Sequence, residues 1–141
     1  MITFNTEDKT FTLKNKALLK QWIKSTIENK KQKAGAISFM FCSDEFLLKM
    51  NKDYLKHDTY TDIITFDYSD HQKTTISGDI FISIDRVEEN AKQFGKTVEN
   101  ELHRVMIHGV LHLLGYKDKT KTAKAEMTKQ EDLCLKALKK F

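Results

Sequence analysis

Along this chain apolar residues fall at two kinds of spacing, one suited to helices and one to strands. Leu18, Leu19, Trp22, Ile23, Thr26 and Ile27 recur at helical intervals, and Asn15 is placed to cap a helix reaching about Lys31. Ser43, followed by Asp44 and Glu45, opens a second helix whose expected buried face is Leu47, Met50 and Tyr54. Asp85 and Glu88 read as a capping pair for a third helix that stops at Gly95. Thr97 caps a fourth, to about Leu114, and a last helix covers roughly Thr122 to Lys139. Strand-length segments lie at Ile2–Asn5, Ala36–Cys42, Asp62–Tyr68 and Asp79–Asp85. This order predicts an α+β fold, a single domain over residues 1–141 with a small mixed β-sheet of about four strands packed against about five helices. The polar interval from Ser69 to Gly78 is expected to be a mobile loop at the sheet edge.

The fourth helix changes this from a fold reading to a functional one. Leu102, Val105, Met106, Val110, Leu111, Leu113 and Leu114 make it apolar nearly all round, the pattern of a buried central helix. Two histidines inside it, His108 and His112, need partners, because unpaired polar groups are costly to bury. Four residues apart, they project from nearly the same face and can reach one ion. Gly115 can end the helix in a left-handed conformation and turn the chain back, bringing Asp118 to the same point. Two imidazoles and a carboxylate, with one open position, form the ligand set of a catalytic zinc site, one zinc per chain. The bland alternative is two core histidines bonded to carbonyls, with Asp118 capping the next helix. The remaining histidines, His57, His71 and His103, lack such partners and read as loop or surface residues.

A zinc protease with paired histidines carries a glutamate after the first, as general base. Here that position is Gly109, so peptide hydrolysis by that route is not expected.

Composition narrows the classes further. The 141 residues include no proline and only five glycines, with no repeat or linker. At 40% hydrophobic, the chain can bury one core, yet it has no apolar run long enough to span a membrane and no secretory leader pattern at its N-terminus. Cys42 and Cys134 read as buried reduced thiols of a cytoplasmic protein. The net charge is +4, unevenly spread: seven lysines and one acid between Lys14 and Lys33, and four lysines from Lys117 to Lys124. Such stretches attract phosphate backbones, although spaced lysines more often mark a solvated helix face.

The residues from His108 to Asp118 resemble the signature of the YbeY family, bacterial endoribonucleases that mature ribosomal RNA. His108, Gly109, Leu111, His112, Leu113, Gly115 and Tyr116 match its pattern, whereas Lys117 stands for an aspartate and Asp118 for a third histidine. Upstream, Asn51–Tyr54, Thr61–Phe66 and Gly78–Ile80 resemble further family segments, and Met127 and Glu131 fall near its acidic C-terminal helix. The family's arginine after the tyrosine is Leu55 here, with Lys56 beside it.

The resemblance implies a mixed sheet flanked by helices and a zinc-dependent, single-strand-specific endoribonuclease. It also implies a role in forming the 3′ end of small-subunit ribosomal RNA and in ribosome quality control, with ribosomal RNA and ribosomal proteins as partners. On that reading Lys56, Lys117 and Lys119 are candidate RNA contacts, and Asp79 is a candidate base or supporting residue in the site, failing which the metal-bound water acts alone. Two alternatives stay open: a zinc hydrolase of a non-RNA substrate, and an RNA-binding ribosome assembly factor whose metal is structural.

Overall fold

A computed structural model describes residues 1–56 and 59–141; the expectation for His57 falls outside the described residues. The elements run β1 (Ile2–Thr6), α1 (Lys16–Asn29), β2 (Lys33–Cys42), α2 (Asp44–Leu55), β3 (Ile63–Asp67), β4 (Thr75–Ser83), α3 (Ile84–Phe94), α4 (Val98–Leu113) and α5 (Lys121–Leu138). The sheet has the order β1-β2-β4-β3. The pairs β1–β2 and β2–β4 are parallel, in register at Ile2 with Ile37 and Phe39 with Ile80, while β3 closes the edge antiparallel, Ile63 facing Ile82.

Strand alternation divides the sheet into two faces. Ile37, Phe39 and Phe41 of β2 and Ile76, Ile80 and Ile82 of β4 point to one side, into the same core as Trp22, Ile23 and Ile27 of α1 and Met106, Val110 and Leu113 of α4. The other side carries a smaller cluster, where Leu47 and Met50 of α2 meet Cys42 and Ile64, with Phe46, Phe66 and Phe81 against them. Both cysteines are free and buried. Among the described residues no helix is long and apolar enough to cross a membrane.

Several boundaries follow the expected chemistry. The hydroxyls of Ser43 and Thr97 accept from Phe46 N and Asn100 N, capping α2 and α4. Others differ. Asn15 sits at the head of α1 in a left-handed conformation without a side-chain cap. The cap of α3 is Ser83, whose hydroxyl accepts from Arg86 N, so Asp85 lies inside the first turn. Asp85 is instead tied to Lys9 and to the backbone N–H of Asp44. The expected loop from Ser69 to Gly78 is mostly structured: β4 begins at Thr75, and Asp70 and Thr75 bridge antiparallel, leaving a tight turn around exposed His71. Tyr54, expected to be buried, is 68% exposed, with its ring edge-to-face with Phe66. His103 is half-buried rather than superficial, edge-on to Trp22 at 6.1 Å, and burial lowers its pKa.

Candidate metal centre

Helix α4 lies directly on β3 and β4, and Gly109 is the reason it can. A Cβ added there would come within 2.8 Å of Ile80 Cγ2 and 2.9 Å of Ile63 Cδ1. The position after the first histidine therefore points into the sheet, where a glutamate would have neither room nor access to an ion held by the histidines. One residue earlier and three later, His108 and His112 point away, into a cleft of about 340 Å³. They belong to a polar stripe on an otherwise apolar helix: Glu101, Arg104, His108 and His112 all line that cleft.

The helix ends where the sequence suggested. Gly115 has φ 106°, which an L side chain rarely adopts, and the N–H groups of Gly115 and Tyr116 bond back to the carbonyls of His112 and Leu111. The reversed chain delivers Asp118. Its Oδ2 lies 3.3 Å from His108 Nε2 and 3.3 Å from His112 Nε2. The three ligand atoms all fall within 4.8 Å of one another, a set that could hold a metal ion.

The outer ring nitrogens test whether a metal suits this set. His108 Nδ1 is 2.5 Å from Glu131 Oε2, and His112 Nδ1 is 3.1 Å from the Tyr116 carbonyl oxygen. Both partners are acceptors, so in the neutral form of each ring Nδ1 carries the proton and Nε2 presents a lone pair to the common point. This is the arrangement by which metal-binding histidines have their tautomer and orientation fixed. The residues present fit a divalent cation with nitrogen and oxygen preference.

Glu131 is 7% exposed, on α5, and the Arg104 guanidinium holds its second oxygen at 2.8 Å while reaching Asp132 at 2.7 Å. Burial alone would lower the pKa of His108, but the hydrogen bond and charge of Glu131, with Asp118 and Asp62 behind it, raise it above the ordinary histidine value. His112 goes the other way, lowered by burial and by His108, against the pull of Asp118. Burial raises the pKa of Asp62, with His108 opposing, and likewise that of Glu101, with Arg104 opposing.

Not every expected residue gathers here. Asp79 is on the wrong face of β4: Gly78 and Ile80 beside it face α4, so alternation turns Asp79 toward the α2 side, and it does not line the cleft. It cannot touch the ligands from there. Asp62 and Glu101 are the acids that do line the cleft, and neither was singled out from sequence. Lys117 and Lys119 are exposed on either side of Asp118, and Lys56 is exposed at the left-handed C-cap of α2. Arg104 and Glu131 also escaped as site residues, although Arg104 stands one helical turn before His108, a spacing that placed it on the histidine face.

Comparison with known proteins agrees with this geometry. The model of the family described as endoribonuclease YbeY matches residues 1–139. An endoribonuclease YbeY of Cytophaga hutchinsonii is 50% identical over 140 residues, covering 99% of this chain and 96% of its own. One from Flavobacterium johnsoniae is 47% identical, covering 94% and 93%. The solution structure of a Thermotoga maritima protein superposes with a TM-score of 0.68 at 26% identity, covering 98% of this chain and 89% of its own. A whole-chain family match, close relatives of nearly equal length and a shared fold together make this chain a member of the endoribonuclease YbeY family.

Proposed function

We propose that this protein is a zinc-dependent, single-strand-specific endoribonuclease that matures ribosomal RNA, at the 3′ end of the small-subunit RNA, and takes part in ribosome quality control in the cytoplasm alongside ribosomal proteins. The observation that carries the catalytic part is the meeting of two histidine Nε2 atoms and one Asp118 oxygen in an open cleft, each outer nitrogen held by an acceptor. Relatives at 47–50% identity bear the name endoribonuclease.

His108, His112 and Asp118 would hold the ion, which when bound supplies Lewis acidity toward water and a phosphoryl oxygen. The chain's own groups do the rest. Glu131 fixes the His108 ring and adds negative charge behind it, which strengthens the imidazole as a ligand. Asp62, in the cleft wall and with its pKa raised by burial, takes the role of proton acceptor that Asp79 cannot fill. Lys117 and Lys119 flank the third ligand and would contact the RNA backbone, with Lys56 as a more distant contact.

The test measures metal content and cleavage of a single-stranded RNA on the same samples of wild type, His112→Ala and Asp118→Ala. About one zinc per chain in the wild type, lost together with cleavage from variants that still fold, is the expected result. A wild type that folds and cleaves RNA while holding no metal would overturn it. Variants that unfold on losing metal would favour a structural ion.

A further inference from the structure

The cleft beside the ligands is poor in positive charge. Asp62, Glu101, Asp118 and Glu131 line it against Arg104, and Arg104 is already bound to Glu131 and Asp132. A bound divalent cation offsets only part of that. The backbone of a nucleic acid must therefore find its cations outside the cleft.

The turn that returns Asp118 to the histidines has a second side. There Lys30, Gln32, Leu114, Gly115 and Tyr116 enclose a pocket of about 330 Å³ with no acid in its lining. The Lys30 ammonium lies 5.4 Å from the centroid of the Tyr116 ring and donates to Gln130 Oε1 at 2.8 Å, so it is held at the pocket rather than loose in solvent. Gln32 Oε1 is buried in the pocket wall with no hydrogen-bond partner among the described residues, so a turn of its amide toward the opening would let a donor on an entering ligand satisfy it. Lys31, Lys33 and Lys117, each next in the chain to a lining residue, are exposed.

Pocket and cleft are two sides of one short segment. Tyr116, in the pocket wall, offers its carbonyl to His112, and Gln130, which holds Lys30, precedes Glu131, which holds His108. A strand passing over this turn from the cleft meets the pocket next.

We propose that this pocket is the subsite for an RNA nucleotide flanking the scissile bond, with Lys30 on its phosphate and Gln32 accepting from a ribose hydroxyl or base amine. This rests on the ribonuclease reading above. The acid-free lining and the unpaired acceptor favour a polyanion carrying N–H and O–H donors over a protein segment.

The experiment compares metal-loaded wild type with Lys30→Ala, Lys30→Gln and Gln32→Leu. It measures kcat and KM on a single-stranded RNA, affinity for that RNA by fluorescence anisotropy across a salt series, and bound metal. Lys30→Gln keeps a donor for Gln130 while removing the charge, so it decides the case if Lys30→Ala melts. The expected result is a KM raised about tenfold with kcat and metal unchanged. The salt slope should also fall by about 0.7 for the Lys30 variants. Wild-type KM and slope in the variants would overturn the subsite and leave the nuclease standing. A wild type that neither binds nor cleaves RNA would overturn both.

Discussion

Glu131 Oε2 and His108 Nδ1 meet at 2.5 Å, joining α5 to the central helix across the back of the candidate metal ligands. The contact orients the ring and supports its basicity, while Arg104 holds the carboxylate in place. Replacing Glu131 with Gln keeps the size and removes the charge. Zinc affinity should then fall by roughly 10- to 100-fold, read by chelator competition, with little change in the fold by circular dichroism.

The proposed third ligand is a carboxylate where the signature that the sequence resembles has a histidine. Asp118→Ala should lose the ion at chelator concentrations that leave wild type loaded. Asp118→His should recover it, because the turn set by Gly115 already brings position 118 between the two Nε2 atoms. Metal analysis of the three proteins, purified together, checks this.

Protonation should act on the two histidines in opposite senses in the metal-free protein. His108, with its pKa raised by Glu131 against the effect of burial, adds stability that is full below the ordinary histidine value and is lost as pH rises through its folded value. His112, lowered by burial, adds stability that is present above the ordinary value and is lost as pH falls through its lower folded value. Zinc binding needs both rings unprotonated at Nε2, so uptake should begin to weaken above the ordinary histidine pKa of about 6.5. Zinc titrations from about pH 8 down to 5 read this; uptake unchanged until well below that value would contradict the His108 assignment.

Gly109 sets the distance between α4 and the sheet. Alanine would gain up to about 1 kcal/mol of helix propensity. Against that, overpacking costs about 1–3 kcal/mol, because Ile80 Cγ2 sits on a β-branched carbon and moves only with the strand. Gly109→Ala should therefore lower the melting temperature while leaving the ligand residues in place.

Asp62 lines the cleft without being a ligand. Asp62→Asn should reduce kcat on single-stranded RNA by roughly 10²-fold or more with the zinc content intact. An unchanged kcat would remove it as proton acceptor.

Much of this was legible in the sequence, and the reason is locality. His108 and His112 lie one turn apart on one helix, so helical geometry alone brings them together, and Asp118 follows from the single reversal at Gly115. The cap hydroxyls of Ser43 and Thr97 were readable for the same reason. Glu131 was visible only as an acid near the C-terminus, since its meeting with His108 depends on how α5 lies against α4. Asp79 was read as opening a strand, whereas β4 begins four residues earlier and Asp79 stands inside it, on the side opposite Ile80 and Ile82. Its opening, Thr75 to Gly78, is polar on one side and glycine-marked, which resembles a loop until the pairing with β2 is known. Tyr54 has helical spacing with Leu47 and Met50, but it lies near the end of α2, past the smaller core.

The order of these parts along the chain also bears on how the protein comes into being. As synthesis proceeds, the three proposed ligands are all made by Asp118, yet the carboxylate that aligns His108 belongs to α5, a later helix. A nascent chain can hold the ligands before it can aim them. Firm ion binding, and with it RNA cleavage, is therefore expected only once α5 has been made and has packed against α4.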